Sequence, residues 1–152
     1  MPDPHGANEA LWLQACRNDL LCDENTVVVG HSSGAACAMR LAESTTLAGM
    51  VLVSAYHTDL GDVGEREAGY FSRPWQWDKI RENVDPAFGI VQYGSADDCF
   101  LPLSEQQHVA ESLAAHAVWM DGRSHFMDRT FPELLQLLVE RVSDSDDGSG
   151  HA

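Results

Sequence analysis

Basic residues are scarce in this sequence, which has 9 Lys and Arg against 24 Asp and Glu in 152 residues and a formal net charge of -15. That charge repels phosphate backbones and anionic lipid surfaces, so we expect neither nucleic acid nor membrane among the partners. The sequence also lacks a run of roughly 18 apolar residues and the basic, apolar start of a signal peptide. We therefore expect a cytoplasmic protein, with the nucleus as a second compartment.

Paired cysteines are also lacking. The four cysteines are widely spaced, with no CxxC pair and no histidine cluster at metal-ligand separation. This spacing predicts no metal site and no redox pair, and free thiols in a reducing compartment are the simplest interpretation.

Length and composition predict one globular domain over residues 1–142, because 44% of the residues are hydrophobic and 22% are charged. The last residues, 143–152, are acidic and glycine-bearing with nothing apolar to pack, which predicts a disordered tail.

Short apolar runs alternate with helical patterns along the chain. The runs predict buried strands at 26–29, 50–53, 89–93 and 117–120. Helices are expected over 9–20 with Asn8 as cap, over 35–42, over 105–115 from a capping box of Ser104 and Gln107, and over 130–142. Strands that alternate with helices indicate the α/β class, a parallel sheet with helices on both faces.

A long segment, 55–85, interrupts this alternation and contains several aromatic residues, including Trp75 and Trp77. Loops of this length in a compact domain are usually functional. Two interpretations stay open, a lid or wall of a substrate pocket and a secondary core packed beneath a helix.

The clearest chemical signal is the G-x-S-x-G pattern from Gly30 to Gly34, which directly follows a predicted strand and precedes a small-residue helix. In such an elbow the serine occupies a sharp turn that exposes its oxygen. The pattern predicts Ser32 as nucleophile, and the backbone N–H of Ser33 as a donor to an oxyanion at the helix N-terminus.

A serine needs an imidazole base held by a carboxylate. Asp97 and Asp98 follow the predicted strand 89–93, and His125 follows the strand 117–120, so all lie at the edge where Ser32 is expected. One aspartate of the pair is expected to form the turn, and Asp98 is preferred as the acid. Further residues expected to contact substrate are His31, Trp75, Trp77 and Phe100.

Four runs, 29–34, 51–56, 69–77 and 91–98, resemble the family of retinoblastoma-binding protein 9, serine hydrolases of the α/β-hydrolase superfamily related to bacterial YdeN-type hydrolases. The resemblance extends to about residue 142. It implies the triad Ser32, Asp98 and His125, and so selects Asp98 over Asp97. It also implies cleavage of a small ester or amide through an acyl-enzyme, aminopeptidase-like action on a small molecule or short peptide, and no cofactor.

Two departures from the family pattern affect these expectations. Cys99 follows the acid where the family has proline. The family's N-terminal strand, Gly-rich loop, helix and second strand have no counterpart here, which leads us to expect a shortened isoform, a fragment or a mispredicted start. The strand 26–29 would then be an exposed sheet edge. Loss of the oxyanion donor in that loop would slow the reaction by about 10²–10³.

The family name suggests a second function, because Leu20, Cys22 and Glu24 match the L-x-C-x-E pattern that binds a retinoblastoma-type pocket. A non-catalytic interaction protein is therefore the alternative prediction. It requires this segment to be extended and accessible, whereas its place between a helix and a strand favours packing of Leu20 or Cys22 into the core.

Overall fold

The computed structural model describes residues 1–147, and a four-stranded parallel sheet lies at its centre. The strands follow chain order, with β1 over Val27–His31, β2 over Gly49–Val53, β3 over Ile90–Gly94 and β4 over His116–Trp119. Val29 lies opposite Val51, and Val53 opposite Tyr93. The carboxyl ends of all four strands therefore share one edge, and the predicted α/β class is confirmed.

Six helices accompany the sheet in the described residues: α1 (Glu9–Asn18), α2 (Ser33–Ala42), α3 (Val63–Ala68), α4 (Trp77–Glu82), α5 (Leu103–Leu113) and α6 (Pro132–Asp147). Side chains of β2 alternate between two cores. Met50 and Leu52 pack with residues of α1, α2, α4 and α5, whereas Val51 and Val53 pack with α6. Helices thus cover both faces, and none within residues 1–147 is long and apolar enough to cross a membrane.

The two outer strands are less buried than the sequence predicted. All five residues of β2 are buried, whereas Val27 and Val28 of β1 are half-buried and Val29 is 43% exposed. β4 likewise has no buried residue. The reason is position, because within residues 1–147 each outer strand has a neighbouring strand on only one side. For β1 this is the exposed sheet edge that the family resemblance led us to expect.

The structure confirms one predicted helix end and corrects two others. Asn8 caps α1, since its side-chain oxygen accepts a hydrogen bond of 3.2 Å from the Leu11 N–H. The predicted capping box at Ser104 and Gln107 is wrong, because α5 already begins at Leu103. α6 continues to Asp147, so residues 143–147 of the predicted disordered tail are helical, while 148–152 lie outside the described residues.

The long segment 55–85 contains α3 and α4 and is fixed to the body by one buried cation. Arg40 of α2 is 1% exposed, and it donates to the backbone carbonyls of Tyr70, Arg73 and Pro74. Its guanidinium also lies 3.7 Å from the centre of the Trp75 ring. Trp77 stacks on Trp75 at 5.5 Å, and both pack against the α1, α2, α4 and α5 side of the core. For these tryptophans the core interpretation holds.

Candidate active site

Ser32 lies at the tight turn between β1 and α2. Its backbone has φ 56° and ψ -121°, a conformation that few residues other than glycine adopt, and its N–H donates to the Val53 carbonyl of β2 at 3.0 Å. A Cβ on Gly30 would lie 2.3 Å from the Gly34 carbonyl oxygen, so only glycine lets strand and helix approach this closely. The local sequence therefore sets the turn that carries the serine.

The structure brings the three predicted triad residues together. The Nε2 atom of His125 lies 3.0 Å from Ser32 Oγ, and its Nδ1 atom lies 3.0 and 2.9 Å from the two carboxylate oxygens of Asp98. His125 is only 5% exposed, and the Asp98 side chain is fully buried. The residues come from the loops after β1, β3 and β4, which meet at the carboxyl edge of the sheet.

The carboxylate of Asp98 is held in its charged form by several donors. The backbone N–H groups of Phe100 and Leu101 donate to Oδ1 at 2.9 and 3.0 Å, and the Ser54 hydroxyl donates to Oδ2 at 2.8 Å. Burial acts to raise the pKa of Asp98, but these hydrogen bonds and the His125 ring lower it below its ordinary value. Ser54 is fully buried at the end of β2, and sequence reasoning did not identify it.

Asp97 has a different place from Asp98. It is exposed, and its carboxylate accepts hydrogen bonds from the Ser95 hydroxyl and from the Ser124 N–H at 3.3 Å. Asp97 therefore joins the loop after β3 to the loop that carries His125.

A cavity of about 490 Å³ opens over Ser32 and His125. Its other lining residues are Tyr56, Leu60, Asp62, Glu65, Phe100 and Leu101. Phe100, predicted to contact substrate, lines this cavity and packs edge-on against the His125 ring at 4.9 Å.

The other predicted pocket residues lie elsewhere. His31 donates through Nε2 to the backbone carbonyl of His125 at 2.8 Å, so it supports the histidine from behind rather than lining the cavity. Trp75 and Trp77 do not line it either, which corrects the expectation, because Arg40 and the core hold both rings on the α4 side of the molecule.

A buried phenol connects the elbow to the cavity wall, and the sequence did not indicate it. Tyr56 is 1% exposed, and its hydroxyl donates to a carboxylate oxygen of Glu65 at 2.6 Å. The Ser33 hydroxyl lies 3.3 Å from the same phenol oxygen and supplies the remaining proton. Burial and the Glu65 carboxylate raise the pKa of Tyr56, so the phenol stays protonated. Helix α3, which carries Glu65, is thereby joined to the residue after Ser32.

The L-x-C-x-E segment forms a turn. Leu21 has φ 52°, and the N–H groups of Leu20 and Cys22 donate back to carbonyls of α1. Leu20 is 62% exposed and Glu24 is exposed, while Cys22 is half-buried against the core. The expected core packing thus holds for Cys22 alone. The turn differs from the extended strand that pocket binding requires, and the interaction role stays a prediction.

Within residues 1–147, no group of three or more His, Cys, Asp or Glu side chains is placed to hold a metal ion.

Comparison with known proteins places this chain among serine hydrolases. Residues 2–135 match the model of the serine hydrolase family. Serine hydrolase RBBP9 of Rattus norvegicus is 50% identical over 143 residues, which are 94% of this chain and 75% of the rat protein.

Two solved structures share the fold. The ydeN gene product of B. subtilis superposes with a TM-score of 0.81 at 23% identity, over 94% of this chain and 80% of that one. A putative yden-like hydrolase of Pectobacterium atrosepticum superposes with a TM-score of 0.59 at 18% identity, over 88% of this chain and 68% of that one.

Proposed function

Because the chain belongs to the serine hydrolase family, we propose that it cleaves a small ester or amide through an acyl-enzyme, with Ser32 as nucleophile, His125 as base and Asp98 as acid. The observation that carries this proposal is the continuous line of hydrogen bonds from Ser32 Oγ through the His125 ring to Asp98. A serine hydroxyl is a weak nucleophile until such an imidazole takes its proton.

In the proposed reaction, Ser32 Oγ attacks the substrate carbonyl while His125 Nε2 accepts the hydroxyl proton. Asp98 keeps the Nδ1–H tautomer of His125 and stabilises the imidazolium that forms. The backbone N–H of Ser33 and the N-terminus of α2 donate to the oxyanion. His125 then protonates the leaving group, and a water molecule, deprotonated by the same imidazole, cleaves the acyl-enzyme.

The cavity favours a substrate with a positively charged amino group. Two carboxylates, Asp62 and Glu65, line it beside the apolar Leu60 and Phe100. The nearby cation on α3, Arg66, is directed to Asp59 at 3.0 Å. A short peptide or an amino acid ester with a free ammonium group fits this lining, and this is the aminopeptidase-like action that the family resemblance implies.

Labelling with a serine-reactive fluorophosphonate tests the nucleophile. We expect the wild-type protein to be labelled and the Ser32→Ala variant to be unlabelled. The control Ser72→Ala, which removes an exposed hydroxyl 40 residues after Ser32, should be labelled like the wild type. A folded wild-type protein that does not react, or a Ser32→Ala variant that does, would refute the proposal.

The substrate class is tested separately with an amino acid ester and its N-acetylated counterpart. The free amine should be hydrolysed with a kcat/KM higher by at least about tenfold, because one charged hydrogen bond contributes about 1.5–3 kcal/mol. Asp62→Asn should remove most of this preference through KM and leave labelling of Ser32 intact. Equal rates for both esters would contradict the amine preference without affecting the triad.

A further inference from the structure

Three of the four cysteines meet in the folded chain, although they are far apart in sequence. Cys16 lies on α1, Cys22 in the connection from α1 to β1, and Cys37 on α2. All three line one cavity of about 280 Å³ beside β1. The fourth, Cys99, is exposed in the loop next to Asp98. The proposed hydrolysis uses none of the three clustered thiols.

Backbone geometry brings Cys16 and Cys22 next to each other. The left-handed conformation of Leu21, with φ 52°, turns the chain back on the end of α1. The N–H of Cys22 then donates to the carbonyl of Cys16 at 3.0 Å. Backbones in direct hydrogen-bond contact are within the separation that a disulfide spans. The two side chains also line the same cavity, and Cys22 and Cys37 both lower the pKa of Cys16.

These contacts distinguish the three thiols chemically. The hydrogen bond from Cys37 is the largest cause that lowers the pKa of Cys16 to about 7, with help from Cys22 and Arg17 and against the opposing effect of burial. Burial raises the pKa of Cys22. The sulfur of Cys16 therefore carries thiolate character near neutral pH, while its neighbours stay protonated. The thiolate is the form that reacts with oxidants.

We propose that Cys16 and Cys22 form a peroxide-sensitive dithiol site, in which a small uncharged hydroperoxide enters the cavity beside β1 and oxidises the pair to a disulfide. The Cys16 thiolate attacks the distal peroxide oxygen. The O–O bond breaks, an S–O bond forms, and the departing alkoxide or hydroxide takes a proton from solvent. The Cys22 sulfur then attacks the Cys16 sulfenic acid, and hydroxide leaves with the Cys22 proton as water. The two sulfurs lose two electrons, and the peroxide gains them.

The environment favours Cys22 over Cys37 as the resolving thiol. Cys37 is 3% exposed within α2, so the helix holds its backbone and the surrounding core holds its side chain. Cys22 is half-buried in the connection between α1 and β1, outside any helix or strand. The cavity walls are mostly apolar, with Trp12 and Val28 among them, which suits a small neutral oxidant.

The experiment treats the full chain with hydrogen peroxide and then maps its cysteines by alkylation and peptide mass spectrometry. We expect the loss of two hydrogen atoms from one peptide pair, assigned to a Cys16–Cys22 disulfide that dithiothreitol reverses. A disulfide between Cys16 and Cys37, or Cys16 and Cys22 still free at a dose that oxidises Cys99, would overturn the proposal.

Matched variants separate this pair from general thiol oxidation. Cys16→Ser and Cys22→Ser should each lower the disulfide yield about tenfold or more, whereas Cys99→Ser should leave it unchanged. Because Cys22 is half-buried, Cys22→Ser keeps the test valid if Cys16→Ser fails to fold. An unchanged yield in folded Cys22→Ser would refute the assignment of the resolving thiol.

Discussion

Replacement of Ser54 by alanine is the sharpest test of how the proposed triad is held. The variant removes one hydroxyl, whose oxygen lies 2.8 Å from Oδ2 of Asp98, and keeps the Cβ atom at a residue with φ 49°. Oδ2 then keeps only its hydrogen bond to His125, while Oδ1 keeps the two backbone donors. Because the Asp98 side chain is fully buried, no solvent replaces the lost donor.

The magnitude follows from the cost of leaving a buried acceptor without its donor, about 1–3 kcal/mol. A less firmly held carboxylate orients His125 less well and stabilises its imidazolium less in the transition state. We expect kcat/KM to fall about tenfold, equivalent to about 1.4 kcal/mol. The free energy of unfolding should fall by about 1–2 kcal/mol, measured by urea denaturation.

Ser95→Ala is the matched control, because Ser95 is equally buried and its hydroxyl bonds to Asp97 and to the Met120 carbonyl rather than to Asp98. It should lose similar stability and keep kcat/KM within about twofold of wild type. If Ser54→Ala loses stability but keeps full activity, or if both variants lose activity equally, the positioning role assigned to Ser54 is refuted.

Three further predictions concern the elbow, the buried cation and pH. Gly30→Ala should lower the free energy of unfolding by about 3 kcal/mol or more. The new Cβ of Gly34→Ala would meet no atom within 4 Å, so this variant should leave the free energy of unfolding unchanged or raise it by up to about 1 kcal/mol. Thermal unfolding measures both effects. Equal effects would contradict the close approach at Gly30. Arg40→Lys should lower the free energy of unfolding by about 3 kcal/mol, because one ammonium group cannot donate to all the backbone carbonyls of the 70–74 segment that the guanidinium contacts. The control Arg17→Lys, at an exposed residue, should change this free energy little. Similar melting temperatures for the two variants would contradict the prediction. Asp98 has a pKa below its ordinary 3.8 in the fold, so its hydrogen bonds stabilise the protein above that pH and are lost as pH falls through the lowered value. In urea denaturation between about pH 5 and about pH 2, the Asp98→Asn variant should therefore lose less free energy of unfolding than the wild-type protein. Parallel pH curves for the two proteins would refute this.

Much of the fold, and the meeting of Ser32, Asp98 and His125 at one edge, could be predicted because the signals are local. The elbow depends on a few adjacent residues, in which Gly30 permits the close turn and Ser32 occupies it. The order of strands and helices follows from short apolar runs and their spacing. Asp98 and His125 follow two of the predicted strands, and a parallel sheet places all its strand ends at one edge.

Other features of the site could not be predicted, because they depend on contacts between distant segments. Ser54 reaches Asp98 across 44 positions, and the 55–85 segment brings Asp62 and Glu65 to the cavity while it places Trp75 against Arg40. Aromatic content alone did not distinguish a pocket wall from a core. Burial of the outer strands also depends on neighbours that a sequence run does not reveal.

The cysteines show this division clearly. Their spacing in the sequence indicated four unrelated thiols, since it contains no CxxC pair. The turn at Leu21 and the packing of α1 on α2 bring Cys16, Cys22 and Cys37 into one cavity. The sequence by itself determined the tight turn at Ser32 and the α/β alternation, because neighbouring residues encode both. Only the tertiary structure decided which distant side chains share a hydrogen bond, a cavity or a reactive sulfur, because chain packing sets those distances.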